Sequence, residues 1–118
     1  MELVDLYQTI VSLSGFSVPD GLDGRDLTSV MVNGDLASRA FTQFPRPAYY
    51  KGEPEVMGYS MRTDRYRLTE WRTFGTEEVI AMELYDHRND PGETKNIAQS
   101  EQGIAVREKL QPLWKIQK

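Results

Sequence analysis

The chain has 118 residues, 39% of them hydrophobic and 27% charged, and a net charge of −4, which suits one small domain with one core. That length is too short for most complete catalytic α/β enzymes, and the acidic balance argues against general nucleic-acid affinity, which needs a basic face. There is no cysteine and one histidine, His87, so disulfides, thiolate zinc sites, cysteine nucleophiles and multi-histidine metal centres are excluded.

Residues 2–13, ELVDLYQTIVSL, carry helical spacing at Leu3, Leu6, Tyr7, Ile10 and Leu13, joined by Val4 and Val11. At about 100° per residue these positions span an arc wider than a surface helix needs, so the helix calls for cover on two sides. Gly15 is placed to stop it, and Glu2 and Asp5 suit the positive end of its dipole. The same acidic residues, and the lack of a basic leader, mean that MELVDLYQ encodes no export signal. Nor does any apolar run reach the roughly 20 residues that span a bilayer. The expectation is a cytosolic protein, or an export signal on sequence preceding Met1.

A loop follows, FSVPDGLDGRD, punctuated by Pro19, Gly21 and Gly24. Asp20, Asp23 and Asp26 miss the ligand spacing of a calcium-binding EF-hand loop, so they read as turn residues. Asp26 is placed to cap a short helix, Leu27 to Val32, that Asn33-Gly34 ends.

Ala40 to Phe44 has strand composition, and Pro45-Arg46-Pro47 is expected to stop it. Ala48 to Pro54 is then a loop with Tyr49, Tyr50 and Lys51, able to line a site for an anionic, ring-shaped ligand or to pack its tyrosines on the fold.

Val56 to Arg72 reads as a β-hairpin. A two-residue turn at Thr63-Asp64 would pair Arg62 with Arg65, Met61 with Tyr66, Ser60 with Arg67 and Tyr59 with Leu68. That register puts Met57, Tyr59, Met61, Tyr66 and Leu68 on one face, and Gly58, Ser60, Arg62, Arg65 and Arg67 on the other. Arginines directly opposite one another repel unless an anion sits between them, either an internal carboxylate or a bound ligand.

Beyond the hairpin, Glu77 to Ala81 suggests a turn of helix and Met82 to Asp86 a strand. Asp90-Pro91-Gly92 fits a type II turn, with glycine at its third position. Residues 100–116 read as a closing helix, apolar at Ile104, Val106, Leu110, Leu113 and Trp114, with Pro112 in conflict with its last turn. The elements add up to an α+β fold: a small antiparallel sheet of about four strands packed with a C-terminal helix on the apolar face of the hairpin. The first helix is left with an apolar face that this sheet does not cover.

Four stretches, ELVDLYQTIVSLSG, VPDGLDGRDL, GYSMRTDRYRL and ELYDHRNDPGETKNIA, resemble, in that order and spacing, the C-terminal region of the arylsulfatase-type sulfatases of the alkaline-phosphatase superfamily. FTQFPRP and MGYSMRTDRYRLTEW are most similar to the iduronate-2-sulfatase branch. The resemblance implies that residues 1–15 are the last helix of a large sulfatase α/β domain, that 16–38 form a connecting loop with a short helix, and that 39–118 form the C-terminal subdomain. It further implies a parent enzyme that hydrolyses sulfate esters of sugars such as glycosaminoglycans, located in the periplasm, a lysosome or the secreted space.

The family's formylglycine, made from a C/S-x-P-S-R motif, and its calcium are implied for the full-length enzyme only. This chain has no cysteine, Ser17-Val18-Pro19-Asp20 lacks the motif's serine and arginine, and Arg46 stands in FPRP without a nucleophile. No cofactor is therefore expected on this chain, and it is expected to be catalytically inactive alone. Its expected partners are the N-terminal α/β domain and, in the intact enzyme, the sulfated sugar, with no nucleic acid and no membrane. Uncovered, residues 2–13 would favour self-association.

Arg46, Tyr49, Tyr50 and Lys51 are the candidate substrate contacts; Arg62, Arg65 and Arg67 are candidate salt-bridge residues, with Arg62 and Arg65 expected to tie the hairpin to the large domain. The alternative is a non-enzymatic module that binds sulfated or carboxylated glycans through Arg46, Lys51, Arg65 and Arg67.

Overall fold

The computed structural model describes residues 2–34, 39–49 and 51–114. In order they form helix α1 (Val4–Leu13), helix α2 (Thr28–Asn33), strands β1 (Ala40–Arg46), β2 (Val56–Arg62), β3 (Tyr66–Thr73) and β4 (Val79–Asp86), and helix α3 (Glu101–Leu110) with a 3-10 turn at Gln111–Leu113. Two compact units result, Met1–Ala40 and Phe41–Lys118.

In the first unit α1 turns its polar side inward. Asp5, Gln8 and Thr9 are its buried residues, and Asp5 is only 1% exposed. Each satisfies backbone groups of the following loop. The Asp5 carboxylate accepts the Glu2 N–H at 2.9 Å and the Arg25 N–H at 3.0 Å. The Thr9 hydroxyl accepts the Leu27 N–H at 3.1 Å, and the Gln8 amide donates to the carbonyls of Leu22, at 3.4 Å, and Gly24. Only glycine fits at position 24, since a Cβ there would lie 2.0 Å from the Val4 carbonyl oxygen. Burial raises the Asp5 carboxyl, yet the two N–H donors and the Arg25 guanidinium outweigh it and hold the group below its ordinary range.

The apolar side of α1 is left outside. Leu3, Leu6, Tyr7, Ile10 and Leu13 are all exposed, Leu3 by 90%. Gly15 follows the helix with φ +76°, and α2 ends at a left-handed Gly34. The short helix begins at Thr28 rather than Leu27 because the Asp26 carboxylate takes the Thr28 N–H at 2.8 Å.

The second unit is a four-stranded antiparallel sheet in the order β1-β2-β3-β4. Met61, Leu68 and Leu84 lie side by side across β2, β3 and β4 and are at most 1% exposed. Ala98 and, from α3, Val106 and Leu110 close over them, with Phe41, Tyr66, Met82, Ile97 and Trp114 around the edge. Fully burying one such side chain contributes about 1.5–3 kcal/mol. Ser100 caps α3 by accepting the Gly103 N–H at 3.0 Å.

The hairpin turn is Asp64-Arg65, one residue later than Thr63-Asp64. Arg62 pairs with Arg67, Met61 with Leu68, Ser60 with Thr69 and Tyr59 with Glu70. Thr63 explains the shift: its N–H donates to the Tyr66 carbonyl at 2.8 Å, while its hydroxyl accepts the Tyr66 N–H at 2.9 Å. Each pairing moves by two residues, an even step, so the strand residues keep their faces, but Arg65 leaves the arginine face for the turn and bonds Asp86, which stands opposite Tyr66. The apolar face also takes in Glu70, 5% exposed, which is paired at 2.6 Å with Arg72, whose guanidinium lies 5.6 Å from the Tyr59 ring.

Four further expectations are corrected. β1 runs through Pro45 to Arg46, because an edge strand tolerates a missing donor that a central strand would not. Glu77 to Ala81 is not helical; β4 starts at Val79, with Ile80 bulged opposite the Trp71–Arg72 step.

At Asp90 the turn bond from the Glu93 N–H is present at 3.2 Å, but the left-handed residue is Glu93, φ 53°, not Gly92. The Asp90 carboxylate imposes this by accepting the Thr94 hydroxyl and the Lys95 N–H. The closing helix ends at Leu110, and Pro112 sits within the 3-10 turn.

Beside the free edge of β4, the Asn96 amide accepts the Leu84 N–H at 3.0 Å and donates to the Met82 carbonyl at 3.1 Å. The Ile97 N–H adds a bond to the Leu84 carbonyl at 2.9 Å.

Candidate functional site

The sheet face opposite α3 holds a groove of about 210 Å³, lined from β1 by Thr42 and Phe44, from β2 by Gly58 and Ser60, from β3 by Arg67, Thr69 and Trp71, and from β4 by Glu83 and Tyr85, with Glu93 at one end. Period-two alternation puts these residues together, because positions opposed across the ladder share a face. Glu83 is the hinge of the arrangement. Its carboxylate accepts the Trp71 indole N–H at 2.8 Å and the Tyr85 hydroxyl at 3.1 Å. Burial first, and then Glu83, pushes the Tyr85 phenol above its ordinary range.

The Arg46 guanidinium lies 4.3 Å from the Trp71 ring centroid. Beneath the same ring is Gly58, where a Cβ would stand 2.6 Å from a ring carbon. Among the described residues, none of the ion pairs involves Arg46, which is exposed.

The other candidate residues are dispersed. Tyr49 is 96% exposed and Lys51 is exposed as well, and no described contact brings either to Arg46. Tyr50 lies outside the described residues. Arg65, from the hairpin turn, forks onto Asp86 with two bonds of 2.7 Å. Arg67 pairs with Glu93 at 3.0 Å, and the other oxygen of Glu93 meets His87 Nε2 at 2.5 Å. Arg62 donates to the Thr63 carbonyl at 2.7 Å and the Tyr66 carbonyl at 3.4 Å. The Arg65 fork, aided by the Arg88 N–H and the Asn89 amide, overcomes burial and holds the Asp86 carboxyl down at about 2.

Trp71, Glu83 and Tyr85 are groove residues that the sequence reading passed over. Alternation would have found them, since Trp71 is two steps from Thr69, and Glu83 and Tyr85 are two apart on β4.

Residues 1–118 match the family described as N-sulphoglucosamine sulphohydrolase, C-terminal. The chain belongs to this family. Mouse arylsulfatase K is 28% identical over 100 residues, covering 83% of this chain and 18% of that protein. Human iduronate 2-sulfatase is 33% identical over 89 residues, covering 62% of this chain and 16% of that protein.

Among solved structures, BT4656 in complex with its substrate D-glucosamine-2-N,6-O-disulfate superposes with a TM-score of 0.69 at 24% identity, covering 92% of this chain and 22% of that one. The sulfatase-class protein yidJ of Bacteroides fragilis gives 0.69 at 26% identity, covering 92% and 23%. This sulfatase C-terminal domain thus spans less than a fifth of the length of the curated relatives it matches.

The residues present do not fit the family's formylglycine and calcium. The sequence has no cysteine and no complete nucleophile motif, and among the described residues no three histidine or carboxylate side chains converge on a metal-sized site. No bond-breaking step is therefore assigned to this chain's side chains.

Proposed function

We propose that this chain is the pocket-shaping and bracing part of a sulfatase that acts on sulfated sugars, of the iduronate-2-sulfatase-like branch. The observation that carries the reading is the family match along residues 1–118, with relatives and a structural neighbour whose names speak of sulfated substrates. Residues 1–15 then belong to a large α/β domain, 16–38 connect, and 39–118 form the subdomain. The exposed apolar side of α1 supports this, because such a stripe is what a helix of a larger core presents. Arg46, with no carboxylate partner among the described residues, supports a substrate-facing role, with Tyr49, Tyr50 and Lys51 on the adjoining loop. The alternative, a self-sufficient glycan-binding module, draws on cations of which Arg65 and Arg67 are already paired.

The test is an assay of the purified chain against an aryl sulfate with added calcium. No turnover is expected, and reproducible turnover by pure material overturns the division of labour.

A further inference from the structure

We propose that Trp71 is a positioning residue: seated over Gly58 and tied to Glu83, its indole holds the Arg46 guanidinium at the end of the open sheet face as a fixed recognition fork for a sulfate or carboxylate group. The proposal rests on the reading that Arg46 faces a sulfated sugar, and it adds the means by which an exposed, flexible side chain is made ready for that role. Arginine carries several rotatable bonds, and immobilising them on binding costs affinity unless the side chain is already held. Among the described residues no carboxylate holds Arg46. What it meets is an aromatic face, 4.3 Å away.

Sulfate and carboxylate engage the N–H rim of a guanidinium, and the Trp71 ring holds the cation without setting a carboxylate on that rim. An ion pair would consume that edge, as Asp86 does for Arg65 through two bonds of 2.7 Å. The indole is itself restrained. Its N–H donates to Glu83 at 2.8 Å, the second Glu83 oxygen accepts from Tyr85 at 3.1 Å, and the missing side chain at Gly58 lets the ring lie down over β2. Three strands thus contribute to the placement of one cation on the fourth.

The experiment uses the full chain with ¹⁵N-labelled arginine, following the Arg46 Nε–Hε signal before and after adding glucosamine N,6-O-disulfate. In the native chain the signal is expected to be rigid, ring-shifted and responsive to the sugar. Trp71→Leu should release it and weaken sugar binding about threefold, and Trp71→Phe should restore part of both. Glu83→Gln keeps the ring and should give a partial release, so the argument does not depend on Trp71→Leu folding normally. Arg46→Lys should weaken binding, with Trp71→Leu adding nothing on that background. An Arg46 signal equally mobile in the native chain and in Trp71→Leu or Glu83→Gln overturns the positioning role. A rigid, ring-shifted Arg46 that ignores the sugar overturns the substrate-facing reading instead.

Discussion

The two units of this chain solve burial in opposite ways. Phe41–Lys118 buries Met61, Leu68 and Leu84 beneath Val106 and Leu110, and so carries a core of its own. Met1–Ala40 buries Asp5, Gln8 and Thr9 and leaves Leu3, Leu6, Tyr7, Ile10 and Leu13 in solvent. Hydrogen bonds fix which loop lies on α1, the neutral ones contributing about 0.5–1.5 kcal/mol each, net of water, and those to the Asp5 carboxylate about 1.5–3 kcal/mol. The sheet unit encloses a core of its own; the helical unit leaves an apolar face uncovered.

Leu84→Ala should have the largest effect, a loss of about 2–5 kcal/mol in denaturant unfolding of the sheet unit, because Leu84 is 0% exposed at the centre of the cluster. A loss below that range would mean the sheet also depends on outside cover. Asp5→Ala should come next, at about 1–3 kcal/mol, since it strips the acceptor from the Glu2 and Arg25 N–H groups. Faster hydrogen exchange at Arg25 and Leu27, with core amides of β3 unchanged, is the expected signature. Equal changes in both units would erase the distinction.

Acid should act on the sheet unit through Asp86. Its folded value is depressed, so the stability it contributes is present above the ordinary 3.8 and is lost as pH falls toward about 2. Asp86→Asn is expected to lower stability at neutral pH and to flatten the dependence across that acid window. An unchanged acid profile would remove the Arg65 fork from the account. Leu6→Asp should change stability least and association most: it places a charge on the exposed stripe of α1, and the monomer fraction by light scattering should rise. A parent chain already monomeric, with the variant merely destabilised, would show that the stripe is covered.

Much of the sheet unit was readable from the residues, because period-two alternation survives an even shift of register. Met61 and Leu68 therefore stood on the correct face even with the wrong partners. The turn was missed because Thr63 supplies its hydroxyl as a backbone acceptor, an option that pairing rules omit. Pro45 reads as a stop because nothing in the seven residues of β1 announces an edge strand.

The breadth of the apolar arc on α1 was legible, but not which side the loop would take, since that is settled by Asp5, Gln8 and Thr9 meeting loop backbone fourteen or more residues away. At the groove, Arg46 was visible as an odd cation between prolines. Alternation alone groups Trp71 with Thr69, and Glu83 with Tyr85, but that Glu83 receives both Trp71 and Tyr85 shows only with β3 and β4 in register.

Asn96 stands where the backbone of a fifth strand would otherwise stand. Its one amide occupies both the free N–H of Leu84 and the free carbonyl of Met82, so the latter half of that rim offers no template to an incoming extended peptide. On the far rim Pro45 lacks a donor altogether. On β4, room for an added strand is thereby narrowed to the opening stretch, Val79 to Ala81.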